Sequence, residues 1–163
     1  MNKATFRKIF ATVFEHSPWV ADAVYDTGVD QLLEDVELLC ERFASVFLES
    51  EPEHQLATLR AHPQLVCALA DPREMTDDSV SEQAAAGLDQ CSAAELAEFE
   101  RLNDAYSKKF GYPFIIAVKG RERQQILGMF RMRLGNDAVL EYQTALYQVC
   151  QIARFRIGDI LNA

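Results

Sequence analysis

Apolar residues recur with a helical period along most of this chain, and that period constrains the fold more than any other feature. Residues 30–49 carry Leu32, Leu33, Val36, Leu39, Cys40, Phe43, Val46 and Phe47 on one stripe. Residues 92–110 repeat the pattern with Leu96, Phe99, Leu102, Tyr106 and Phe110. Residues 137–161 read as a long last helix with Val139, Tyr142, Leu146, Val149, Ala153 and Ile160 inward. Ser50-x-x-Glu53, Ser79-x-x-Glu82 and Ser92-x-x-Glu95 each fit a capping box, and Asn136 is placed to cap the last helix. Gly28, Gly87, Gly111 and Gly135 fall where helices should stop, and Pro18 and Pro63 suit first turns. The expectation is an all-α, single-domain multi-helix bundle over 1–163.

One stretch departs from the period. Gly111-Tyr-Pro-Phe-Ile-Ile-Ala-Val118 is apolar, β-branched and broken by proline, with no partner strand elsewhere. It predicts a short extended segment near 112–118, packed between helices. Some of its backbone amides are then left to face a ligand.

The 163 residues suit one domain that buries ~70% of its unfolded surface. Such a core needs no metal or disulfide staple. A formal net charge of -9 argues against a nucleic-acid surface, which needs clustered Lys and Arg. A small anionic ligand is still allowed, because one local arginine outweighs a diffuse field at short range. No segment approaches the ~20 apolar residues of a membrane span. The N-terminus reads as an amphipathic helix interrupted by Lys8, Glu15 and His16, not as a signal peptide. The C-terminal Ile160-Leu-Asn-Ala163 is not a peroxisomal address. Cys40, Cys67, Cys91 and Cys150 are widely spaced, as in reduced core residues of a cytoplasmic protein.

Few residues carry chemistry. His62 precedes Pro63, which predicts a helix N-cap. The positive helix end would lower its pKa and a nearby carboxylate would raise it, leaving it near neutral pH for acid–base work. On the plainer reading His62 only separates two helices. Glu82 reads first as the acid of the Ser79 capping box, whereas Gln83 has no helical duty and offers a donor and an acceptor. Arg156 is the anomaly: it lies on the buried stripe of the last helix with Val149, Ile152, Ala153 and Ile160. It is either half of an internal ion pair or a fork for an anionic substrate. His16 and His54 have no metal-ligand spacing, and nucleotide-binding loops and nucleophile elbows are absent. No metal or organic cofactor is expected.

Five ordered pieces carry a resemblance: Phe14-Glu-His-Ser-Pro-Trp-Val-Ala21, Ala61-His-Pro-Gln-Leu65, Ser79-Val-Ser-Glu-Gln83 with Ala86-Gly-Leu88, Phe110-Gly-Tyr-Pro-Phe-Ile-Ile-Ala-Val-Lys-Gly120, and Ile152-Ala-Arg-Phe-Arg-Ile157. In this order they resemble the 2-oxo-4-hydroxy-4-carboxy-5-ureidoimidazoline (OHCU) decarboxylases, from about Phe10 to Leu161. The resemblance implies decarboxylation of OHCU to (S)-allantoin in urate breakdown by a cofactor-free homodimer. It implies that His62 and Glu82 are catalytic. It also implies that Pro63, Ser79, Gln83, the backbone of Phe114, Ile115, Ile116, Ala117 and Val118, and Arg156 surround the substrate. Gln64 replaces the family's usual acid after His-Pro, at a position that is not catalytic. Some members are fused to the preceding hydrolase or carry a peroxisomal tail; neither is expected here.

Two other readings compete: a decarboxylase of a related small keto-like acid, and a non-catalytic helical interaction module. Arg156 separates the module from the enzymes. In an enzyme it faces an enclosed cavity beside His62 and Glu82; in a module it pairs with an acid far from both.

Overall fold

The computed structural model describes residues 1–66 and 75–162. Eight α-helices are defined among them, with no strand. In chain order they are α1 (Lys3–Phe10), α2 (Trp19–Asp26), α3 (Val36–Leu48) and α4 (Pro52–Ala61), then α5 (Asp77–Ala85), α6 (Ala93–Phe110), α7 (Arg123–Leu134) and α8 (Ala138–Asn162). The expected all-α bundle is therefore observed. α3 packs on α8 and α2, α1 on α2, α6 on α7, and α4 on α8. No helix among the described residues is long and apolar enough to cross a membrane.

Two aromatic clusters fill the core. Phe6, Phe10 and Phe14 of the N-terminal segment pack on Phe43 and Phe47 of α3, with ring centroids 4.9 to 6.2 Å apart across the two elements. The second cluster joins α6, α7 and the 113–118 stretch, where Phe114 stacks on Phe130 at 3.9 Å with Tyr106 edge-on to both. Fully buried rings of this size supply much of the hydrophobic stabilisation of a domain.

Local capping follows the expected pattern in one case and departs from it in three. Ser92 and Glu95 make the full reciprocal box at α6. Ser50 instead closes α3 by donating to the Phe47 carbonyl, because Pro52 already serves as first residue of α4. Ser79 is not a cap: Thr76 caps α5 by accepting from the Ser79 amide at 3.3 Å. Asp137, not Asn136, accepts the Leu140 amide at the start of α8. The expected helix over 30–49 is split at Asp35, whose carboxylate accepts from Glu37 and Leu38 and starts α3 after a 3-10 turn at Leu32–Glu34. Val36 and Val139, expected inward, are 47% and 69% exposed, since each lies in the first turn of its helix. Gly111 ends α6 at φ 80°, where a side chain would be strained. Cys67, expected in the core, lies outside the described residues.

Residues 113–118 run as irregular, extended-type backbone, and Phe114 to Val118 are all buried. Helices replace the missing sheet partner. Arg133 of α7 donates to the Ile115 carbonyl at 2.7 Å, and Gln148 of α8 accepts from the Ala117 amide at 2.9 Å. Arg133 is itself 3% exposed and pairs at 2.6 Å with Glu141, which is fully buried. Tyr106 and Asn136 donate to the same carboxylate. Burial and the Glu141 carboxylate push the Tyr106 phenol far above its usual pKa, so it stays a donor.

Removing the arginine from this cluster would leave a buried carboxylate uncompensated. Arg133→Met is expected to cost about 3–5 kcal/mol of unfolding free energy in urea, and the paired Arg133→Met, Glu141→Leu change about half of that or less. A single-variant loss below about 1 kcal/mol would contradict the placement of this pair.

Candidate active site

His62 ends a helix and does not begin one. It is the C-cap of α4, extended at φ -68°, ψ 139° as its proline neighbour requires, with its amide bonded to the Leu59 carbonyl. The expected N-cap is thus corrected: the proline marks the boundary but not its side. Pro63 lies outside any described helix. The electrostatics change accordingly, since the carbonyl end of a helix favours imidazolium. Burial opposes this and wins. At 8% exposure the imidazole is pushed down to about 4; its bond to Thr58 and the Glu15 charge pull upward, and Arg156 and His16 push further down. Nδ1 lies 2.8 Å from the Thr58 carbonyl, which only accepts. The neutral ring therefore keeps its proton on Nδ1, and Nε2 carries the lone pair.

Arg156 is 4% exposed and satisfies every N–H within the protein. Nε and Nη2 donate to the two oxygens of Glu82 at 2.8 and 3.1 Å. Nη1 donates to the Thr12 carbonyl and to Glu15 Oε2, both at 3.0 Å, and Nη2 also reaches Ser79 Oγ at 3.2 Å. Burial disfavours this cation, but Glu82 and Glu15 hold its pKa above the ordinary value.

Glu15 is the site residue that sequence reasoning missed. It comes from the turn after α1, is fully buried, and accepts from Thr76 Oγ1 at 2.7 Å, Ser79 Oγ at 3.0 Å and Arg156. Burial would raise its carboxyl, yet the Thr76 hydroxyl, Arg156 and His62 together hold it below the usual carboxylate range. The only signal in the sequence is an acid following the apolar residues Phe10, Val13 and Phe14.

His62, Ser79, Glu82 and Arg156 line one cleft, to which Glu15 is tied through Arg156 and Ser79. All the expected site residues border it except Ala117, whose amide is spent on Gln148; Leu65 and Ile152 join them. Free space inside is ≈ 30 Å³, enough for a water or two and too small for a ring-sized molecule. Beyond His62 and Pro63 lies a wider cavity of ≈ 520 Å³ that reaches Arg60, Gln64 and Ser107. Gln83 braces the turn between the two: its Oε1 accepts from the Val66 amide and its Nε2 donates to the Gln64 carbonyl. Gln83 therefore has a structural duty that its helix position did not reveal. No His, Cys, Asp and Glu grouping fit for a metal occurs among the described residues.

A neutral imidazole, a masked guanidinium and the Glu82 carboxylate around one narrow cleft, with Glu15 buried against the guanidinium, suit an all-helical enzyme domain acting on a small anion. A profile of the OHCU decarboxylase family matches residues 1–158, and the chain belongs to that family. It is 36% identical to a 2-oxo-4-hydroxy-4-carboxy-5-ureidoimidazoline decarboxylase of Halalkalicoccus jeotgali, over 98% of this chain and 86% of the relative. It is 35% identical to the uric acid degradation bifunctional protein of Bacillus subtilis, but there it spans 31% of the relative's length. A crystal structure of (S)-allantoin synthase superposes with a TM-score of 0.75 at 26% identity, over 98% of this chain and 51% of that one.

The two depressed pKa values act on stability in the same direction. Between pH 6.5 and about 4 the unfolded chain takes up a proton that folded His62 refuses, so stability falls as pH drops through that window. The Glu15 contribution is present above the ordinary carboxylate pKa and is lost as pH falls through its lowered value. Urea unfolding from pH 7 to pH 4 should show the first loss in the wild type, and His62→Asn should flatten it. Parallel curves for the two proteins would contradict the buried neutral imidazole.

Proposed function

We propose that this chain decarboxylates OHCU to (S)-allantoin and carbon dioxide, with His62 as the proton-transfer group. The reading is carried by a buried imidazole with its lone pair on Nε2, in the same cleft as Arg156. The bond that breaks joins the ring carbon to its carboxylate. Carbon dioxide leaves, and the electron pair passes into the adjacent ring C=N. His62 Nε2 takes the proton of the neighbouring hydroxyl, which becomes the product carbonyl. The resulting imidazolium is a strong donor, because burial holds its pKa at about 4. It returns the proton to the former C=N carbon on one face, solvent water supplies the second proton that the ring nitrogen now needs, and a single enantiomer of neutral allantoin is left.

Arg156 meets the substrate anion by partner exchange. Its two acids differ: Glu15 is fully buried, whereas the Glu82 side chain is 30% exposed. Glu82 is the partner that swings away, so an incoming carboxylate takes over the bidentate fork and Glu15 keeps the guanidinium aimed. The freed Glu82 carboxylate then orients the substrate or His62. Displacing an ion pair while excluding water makes the electrostatic terms large at the moment of bond breaking.

The test uses OHCU made freshly from urate, with product chirality followed by circular dichroism. The wild type should yield optically active (S)-allantoin, and His62→Asn should lose about 10²–10⁴ in kcat. Racemic product at the uncatalysed rate from the wild type would reject the reaction. In the wild type the acid limb of kcat/KM should lie near pH 4; a limb near 6.5 would reject the neutral, buried base.

A further inference from the structure

The 113–118 stretch has no ladder partner, so each of its buried peptide groups needs another. Two are satisfied by helices: the Ile115 carbonyl by Arg133, and the Ala117 amide by Gln148. No described peptide bond is cis, and in a planar trans peptide the C=O and the following N–H point in opposite directions. Capture of the Ile115 carbonyl therefore turns the Ile116 N–H away from Arg133. Capture of the Ala117 amide turns the Ile116 C=O away from Gln148. Ile116 is 3% exposed and borders the cleft, and neither its N–H nor its C=O has a partner among the described residues. An adjacent, unpaired donor and acceptor match the edge of a cyclic urea or amide.

We propose that Gln148 is a positioning residue for the reaction: together with Arg133 it locks the peptides on both sides of Ile116, so that this residue offers its N–H and C=O to a cyclic amide edge of the substrate. The inference rests on the decarboxylase reading and deepens it. Gln148, Ile152 and Arg156 stand four residues apart on one face of α8, which ties the peptide anchor to the guanidinium. Gln148 touches Ala117 and acts only through the backbone. Its loss should disturb ring orientation, and so both affinity and stereocontrol, more than it disturbs folding.

Gln148→Leu removes the acceptor, Gln148→Met does so with a more adaptable side chain, and Gln148→Glu keeps it. Each is assayed for kcat, KM, enantiomeric excess and thermal unfolding. The Ile116 amide resonance is followed in ¹⁵N-isoleucine-labelled protein on addition of (S)-allantoin. Whichever of the Leu and Met variants folds should lose about tenfold or more in kcat/KM and part of its (S) excess, while Gln148→Glu stays within about threefold of wild type. The Ile116 resonance should move with (S)-allantoin in wild type and not in the acceptor-free variant. Wild-type kcat/KM and excess in an acceptor-free variant, or equal losses with and without the acceptor, would overturn the role. Wild-type protein that makes no (S) excess would sink the reaction itself; the Ile116 resonances of free wild type and variant would still decide the positioning, coinciding only if Gln148 sets nothing.

Discussion

The contact between Glu15 and Arg156 joins the beginning of the chain to its end, 141 residues away, inside a site that water scarcely reaches. An arginine at 4% exposure needs full compensation, and a carboxylate at zero exposure needs it as much. Each supplies part of the other's requirement. Thr76 and Ser79 of the α5 start complete the carboxylate, while Glu82 and the Thr12 carbonyl complete the guanidinium. The network thereby draws the α1–α2 turn, the first turns of α5 and the last third of α8 onto one point. Breaking it on one side would leave a buried charge, which is among the costliest single defects a small domain can carry.

That arrangement also sets what the neighbouring histidine can be. A cation lies beside it and burial surrounds it, and both disfavour imidazolium. The Glu15 charge and the carbonyl end of α4 favour imidazolium, but they do not offset the loss of water. The result is a neutral ring whose tautomer is fixed by one carbonyl. A base that is neutral at rest and a strong acid once loaded suits a proton taken and returned within one turnover. Free space in the cleft is ≈ 30 Å³, and the Arg156–Glu82 pair occupies the guanidinium fork that the proposed exchange would open to an anion. In the proposed exchange the anion's binding energy would offset the loss of that pair, which would tie substrate recognition to assembly of the charged groups.

Helix content and the inward stripes of α3, α6 and α8 were legible, because a repeat of apolar residues is a local property. The Ser92 box was legible for the same reason. Ser79 was misread because Thr76, three residues earlier, also fits a cap, and packing against Glu15 decided between them. His62 was legible as a boundary and misread in direction, since a pre-proline residue suits either end of a helix. Arg156 stood out as a charge on an apolar stripe. Gln148 lies on the same stripe two turns earlier and carried the same signal, but an uncharged polar residue there looks ordinary. Glu15 was not legible: its partners lie 61 to 141 residues away, and nothing in its own neighbourhood names them.

The protonation of His62 is the point on which the chemistry turns. Titration of its ring nitrogens by ¹⁵N NMR reads both charge and tautomer directly. The expected result is a neutral ring at pH 7 with the proton on Nδ1, and a midpoint near pH 4. A ring that titrates at the ordinary value near 6.5, or that carries its resting proton on Nε2, would contradict the base assigned to this site.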